Sequence, residues 1–191
     1  MTLADKFTLS RLIIAPVFFA IYQLPSFFPA GQMLWTIPLL WLIAIFAELT
    51  DFFDGVAARK RNEISDFGKI FDPFADTLLH VTYFLCFVIE GIFPAFLFLL
   101  VLYREFGVLF IRNLMMKKGI TMGARLGGKI KTVTYVVAAA FAFLAVSVQR
   151  FGVLDNLYPV IKNVALAVFV ISVIFSIASF IDYILVYRKA R

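Results

Sequence analysis

Apolar positions along the chain come in long, nearly unbroken runs separated by short polar segments. Six runs stand out, at about 9–29, 33–57, 70–89, 92–116, 131–149 and 160–187. Each is close to the ~20 residues that a helix needs to cross roughly 30 Å of hydrocarbon. Gly and Pro are too few, and polar alternation too weak, for a lipid-facing β-barrel. The pattern predicts an all-α, polytopic integral membrane protein with six transmembrane helices in a single membrane domain over residues 1–191. The first run reads as a span rather than a cleaved leader, because it is long and has no clear small-residue cleavage site. The longest polar stretches fall at about 58–69 and 117–132.

Composition supports this. Of 191 residues, 63% are hydrophobic and only 16% charged, with mean hydropathy +0.96, which excludes an ordinary soluble domain. A lone cysteine, Cys86, lies in an apolar run, so no intrachain disulfide framework exists. The net charge of +6 is unevenly placed. With the N-terminus inside, all but three of the 18 Lys and Arg residues sit on inside ends and loops; Arg150 and Lys162 lie outside and Arg104 lies within a span. That bias places both termini in the cytoplasm. It also accounts for the basic balance without nucleic acid as a partner and favours anionic lipid headgroups at the membrane surface.

The informative chemistry lies between Glu48 and His80. Asp51 and Asp54, three apart, share a helix face at the inside end of the second span; Asp72 and Asp76, four apart, do so near the start of the third. A short inside loop can bring the two pairs together. Four carboxylates at a bilayer edge repel one another and are costly to desolvate, so a cation is expected among them. Oxygen ligands select Mg2+, Mn2+ or Ca2+ over zinc, and two such ions would form a clamp suited to displacement at phosphorus. The bland alternative makes these Asp residues polar helix ends only. Gly55 and Gly68 would let a phosphate-bearing ligand approach the backbone. The Arg59 guanidinium suits phosphate or pyrophosphate. Singly, such a glycine is more often a packing contact and such an arginine a topology signal.

Together, Asp51-x2-Asp54-Gly55-x2-Ala58-Arg59-x8-Gly68-x3-Asp72-x3-Asp76 resembles the signature of the CDP-alcohol phosphatidyltransferases at every defined position. The resemblance implies transfer of a phosphatidyl or related group from a CDP-linked donor to an alcohol, with release of CMP. It implies that Asp51, Asp54, Asp72 and Asp76 hold two divalent ions, Mg2+ or Mn2+, and that Asp76 is also the catalytic base. Gly55, Ala58, Arg59 and Gly68 would line the CDP site, with Ser65 beside them. It also implies a homodimer, set in the inner (cytoplasmic) membrane as a multi-pass protein with its active site facing the cytoplasm.

Arg104-Glu105, then Arg112, then Gly128-Lys129-Ile130-Lys131-Thr132, resemble elements of the bacterial phosphatidylglycerophosphate synthases within that family, as does Thr8-Leu9-Ser10-Arg11 with Pro16. The implied substrates are CDP-diacylglycerol and glycerol 3-phosphate. An acceptor with its own phosphate needs further cations, and Arg104, Arg112, Arg125, Lys129 and Lys131 are the candidates. Arg104 alternatively forms an ion pair inside the membrane; Glu105, adjacent in sequence, is expected to be a poor partner. Lys129 and Lys131 alternatively serve topology and surface lipid.

Thr77 stands where those synthases usually carry Lys, which leaves room for another acceptor, such as inositol phosphate or a neutral or zwitterionic alcohol. His80, one turn after Asp76, is either a proton relay or acceptor contact, or a packing histidine bonded across helices. Gly123-x4-Gly128-Lys129 mimics the start of a phosphate-binding loop but lacks its Ser/Thr and a preceding strand, so ATP is not expected. A reading of a different class, a divalent-cation transporter, would use the acidic cluster without needing Gly55 or Arg59.

Overall fold

A computed structural model describes residues 3–28, 33–61, 66–120 and 126–189, with side chains described except at 3–7, 51–61, 66–70, 126 and 129. The described residues are helical, with no strand among them. The helices are α1 (Leu3–Gln23), α2 (Thr36–Arg61), α3 (Asp66–Ile89), α4 (Ala95–Lys117), α5 (Leu126–Phe151) and α6 (Tyr158–Lys189). Single 3-10 turns at Leu24–Ser26 and Asp155–Leu157 precede the α1–α2 link and α6.

Each apolar run therefore holds one helix, with informative differences at the ends. The first run extends to about 29, but α1 stops at Gln23 and tightens into the 3-10 turn carrying Pro25. Proline has no N–H to donate and disfavours helical geometry in the residue before it. The polar stretch at about 58–69 is largely helical, with α2 continuing to Arg61 and α3 beginning at Asp66. All eight signature positions consequently lie on helices.

Among the described residues four segments are long and apolar enough to cross a membrane: Thr8–Ser26, Phe71–Ile89, Ile130–Phe151 and Asp155–Lys189. In α2 the apolar portion is the shorter Thr36–Thr50, ahead of the acidic and basic residues. Helix α4 is as apolar overall as α1 and α5 but carries Arg104, Glu105 and Arg112 within 23 residues, charges that are rare inside a span.

The chain divides into two compact units, residues 1–86 and 87–191. In the first, α1 packs on α2. Its buried apolar side chains include Ala15, Phe18 and Tyr22 of α1, Ile37, Leu40 and Ala47 of α2, and Ala75, Leu79, Tyr83 and Phe84 of α3. The Phe18 and Tyr83 rings meet with centroids 4.6 Å apart.

In the second unit α6 packs against both α4 and α5. Phe93 stacks on Phe169 at 4.0 Å between centroids. Gly107 of α4 lies against Phe180 of α6 so closely that a Cβ there would stand 2.6 Å from the ring. Small residues of this kind let membrane helices approach where no hydrophobic drive between them exists. Gly91, at φ +72, lets the chain turn after α3 while Ile92 N–H donates to the Phe87 carbonyl at 2.9 Å, satisfying a helix-end acceptor.

Candidate active site

Asp72 and Asp76 sit one turn apart on α3, and their 4-residue spacing puts both carboxylates on one side of the helix. Helix α1 meets that side with two polar residues spaced to share its own face. Thr8 Oγ1 donates to Asp72 Oδ1, and Arg11 Nη1 donates to Asp76 Oδ1. The second Arg11 nitrogen, Nη2, lies 3.9 Å from Asp72 Oδ1. Burial is lopsided: the Arg11 side chain is 2% exposed, whereas those of Asp72 and Asp76 are 45% and 39% exposed. The cation is therefore on the interior side of the pair, and the carboxylates keep an accessible side.

A turn further along α3, the His80 ring lies with Nδ1 2.9 Å from the Asp76 carbonyl oxygen. A carbonyl only accepts, so Nδ1 carries the proton and donates. Nε2 is 3.6 Å from Glu48 Oε1 of α2. His80 thus bonds to the backbone of Asp76 while reaching across to another helix.

Asp51, Asp54, Gly55, Ala58 and Arg59 lie on α2 and Gly68 on α3, with side chains outside those described. Ser65 lies outside the described residues altogether. The expected meeting of all four carboxylates depends on those side chains. Among the described residues no group of three or more His, Cys, Asp or Glu is placed to hold a metal; Asp72 and Asp76 form a pair.

The second unit contains a buried polar network. Arg104 of α4 donates from Nε to the Ser176 carbonyl at 3.0 Å and from Nη2 to Ser179 Oγ at 3.1 Å, both on α6. Its Nη1 donates to Glu105 Oε1 at 2.8 Å. The same oxygen accepts from Lys131 Nζ at 2.9 Å and Tyr135 Oη at 3.1 Å, both of α5. Tyr135 Oη and Ser176 Oγ are 2.8 Å apart. One carboxylate thus gathers two cations and a phenol in a place where unpaired charge would be very costly.

This arrangement corrects the expectation that Glu105 is a poor partner for Arg104. Neighbouring residues project about 100° apart around a helix, but the long arginine stem folds back toward Glu105 while Ser176 and Ser179 fix its other nitrogens. Tertiary anchors override the local spacing. Arg112, half-buried, lies over the Tyr183 ring with its guanidinium carbon 5.9 Å from the centroid. Arg125 and the Lys129 side chain lie outside those described.

Sequence reasoning missed the role of Thr8 and Arg11 at the carboxylates. The available signal was a threonine and an arginine three apart, at the charged end of an apolar run; the arginine reads locally as a topology residue. Only packing of α1 beside α3 reveals the partners.

Comparisons with known proteins identify the family. Residues 1–178 match the family model for CDP-alcohol phosphatidyltransferase. A Treponema pallidum protein named CDP-diacylglycerol–glycerol-3-phosphate 3-phosphatidyltransferase is 38% identical over 190 residues, covering 96% of this chain and 88% of its own. A Bacillus subtilis protein of the same name is 34% identical over 149 residues, covering 74% of this chain and 76% of its own. A third so named, from Rickettsia bellii, is 29% identical over 163 residues, covering 85% and 86%. With its signature complete and the match extending along most of its length, the chain belongs to the CDP-alcohol phosphatidyltransferase family, a family of generally divalent-metal-dependent membrane enzymes.

Proposed function

We propose that the protein transfers the phosphatidyl group of CDP-diacylglycerol to glycerol 3-phosphate, giving phosphatidylglycerol phosphate and CMP. The observation that carries this reading is the 38% identity, across 96% of the chain, to a relative named for that reaction. The Arg104-Glu105 and Gly128-Lys129-Ile130-Lys131-Thr132 elements support the acceptor assignment.

Asp72 and Asp76 fit a divalent metal: they are oxygen donors on one helix side, each partly accessible, and of a type that suits hard cations. With Asp51 and Asp54 they would hold two ions, Mg2+ or Mn2+. When bound, these ions neutralise the diphosphate and stabilise CMP as it departs. Gly55, Ala58, Arg59, Ser65 and Gly68 would receive the CDP moiety.

Asp76 would accept the proton of the acceptor hydroxyl as that oxygen forms its bond to the phosphatidyl phosphorus and the bond from phosphorus to CMP breaks. Arg11 holds one Asp76 carboxylate oxygen, which orients the proposed base, while His80 bonds only the Asp76 main-chain carbonyl. The acceptor phosphate would fall to Arg112, Arg125 and Lys129. Arg104 and Lys131, both engaged by Glu105, would act at that phosphate within their network.

The proposed topology has six spans, both termini in the cytoplasm, and the site facing the cytoplasm from the inner membrane. One membrane domain, pairing as a homodimer, completes the reading. In that setting the acyl chains stay in lipid while the headgroup meets a water-soluble acceptor.

A second acceptor class has a specific observation in its favour: Arg104 and Lys131 already share Glu105, which reduces the positive charge left for a phosphate. The test is CMP release by purified enzyme given CDP-diacylglycerol and an acceptor panel. Release with glycerol 3-phosphate upholds the assignment. Release only with inositol phosphate or a neutral alcohol replaces it. Metal flux into liposomes with no CMP release from any acceptor would return the transporter reading.

A further inference from the structure

Arg11 contributes a permanent cation to the carboxylate pair from a position where water scarcely reaches it. The guanidinium stays charged at any pH the protein meets. It donates to Asp76, stands 3.9 Å from Asp72, and is 2% exposed. Thr8, one turn earlier on α1, supplies a hydroxyl to Asp72 and is itself buried. Arg11 offsets about one of the two negative charges of this pair, so a divalent cation approaching from the accessible side meets a weaker attraction than the two carboxylates alone would exert, whatever Asp51 and Asp54 add. A diphosphate arriving with the cation supplies the missing negative charge.

We propose that Arg11 sets the divalent-cation affinity of the Asp72/Asp76 pair so that the cation is held firmly only together with the diphosphate donor. The inference rests on the reading that these carboxylates hold the metal. Arg11 is thus a positioning residue: it acts through the two aspartates, aligning Asp76 and keeping the site from being satisfied by metal alone. Thr8 aligns Asp72 without altering the charge. A purely structural tie between α1 and α3 would also use these contacts, but it would leave the metal affinity of a folded variant unchanged.

The experiment measures Mn2+ binding by electron paramagnetic resonance on the full chain in nanodiscs, with and without CDP-diacylglycerol. For the unaltered protein the donor is expected to tighten Mn2+ binding by roughly tenfold or more. In Arg11→Gln, Mn2+ alone should bind roughly tenfold tighter, and the additional effect of the donor should shrink. Arg11→Lys, which keeps the charge, should bind Mn2+ alone as the unaltered protein does. Arg11→Gln with native circular dichroism and elution, yet with no gain in Mn2+ affinity, overturns the proposal. Should that variant fail to fold, equal Mn2+ affinity of the unaltered protein with and without donor overturns it as well. CMP release by the same unaltered preparation distinguishes the two levels: release without the affinity change rejects the role of Arg11 alone. No release from any acceptor rejects the enzymatic reading beneath it.

Discussion

Arg11 of α1 donates to Asp76 of α3 across 65 sequence positions, placing a buried cation against the last acid of the signature. Neither residue could be assigned this partner from its own neighbourhood. The contact gives the Asp76 carboxylate a defined orientation, which the proposed role as base would require.

Asp76→Asn removes proton acceptance while keeping the side chain's shape and much of its hydrogen bonding. CMP release should fall by about 10²–10⁴-fold, the usual scale for losing a general base, and further if metal binding also weakens. Binding of CDP-diacylglycerol, followed by equilibrium dialysis of a short-chain analogue, should largely persist. Near-normal turnover would remove Asp76 from the role of base.

Chelation should stop CMP release, and readdition of Mg2+ or Mn2+ should restore it. Zn2+ should restore it poorly, since a carboxylate set without Cys or His suits harder ions. Full activity after exhaustive chelation would contradict the metal reading.

Glu105 offers a stability test. Glu105→Ala leaves the buried Arg104 and the partly buried Lys131 without their shared anion, a change expected to cost about 3 kcal/mol or somewhat more. Thermal unfolding in detergent would report it. Replacing Arg104 and Glu105 together by Met should cost less than Glu105→Ala, because no buried anion and one fewer buried cation is left in need of a partner.

Gly107→Val puts a branched side chain where even a Cβ would stand 2.6 Å from the Phe180 ring. Overpacking of this kind should destabilise α4 against α6 by about 1–3 kcal/mol. Phe180→Leu in the same chain should recover part of the loss in the same unfolding measurement. If Gly107→Val unfolds like the parent, the close approach is not a constraint on stability.

Much of the architecture was legible locally. Each apolar run holds a helix, and in the four long enough to cross a membrane the reason is that backbone groups in hydrocarbon must bond within their own segment. Helix ends were less legible: Pro25 shortens α1, and the charged stretch at about 58–69 is largely helical, although it reads as polar. The signature spacing revealed Asp72 and Asp76 as a pair on one helix side, since spacing along a helix determines angular position. It could not reveal Thr8 and Arg11 at the carboxylates or the approach of His80 to Glu48, because these partners come from other helices.

Glu105 marks the same boundary from the other direction. Angular spacing argued against its pairing with Arg104, yet Ser176, Ser179, Lys131 and Tyr135 converge from α5 and α6 to make the pair part of a network. By itself the sequence determined helical class, apolar character and the family, because these reside in composition, periodicity and fixed spacing. The tertiary structure alone decided which cation faces which carboxylate. Electrostatic pairing depends on distance through space, and side chains far apart in the chain become neighbours only when the helices pack.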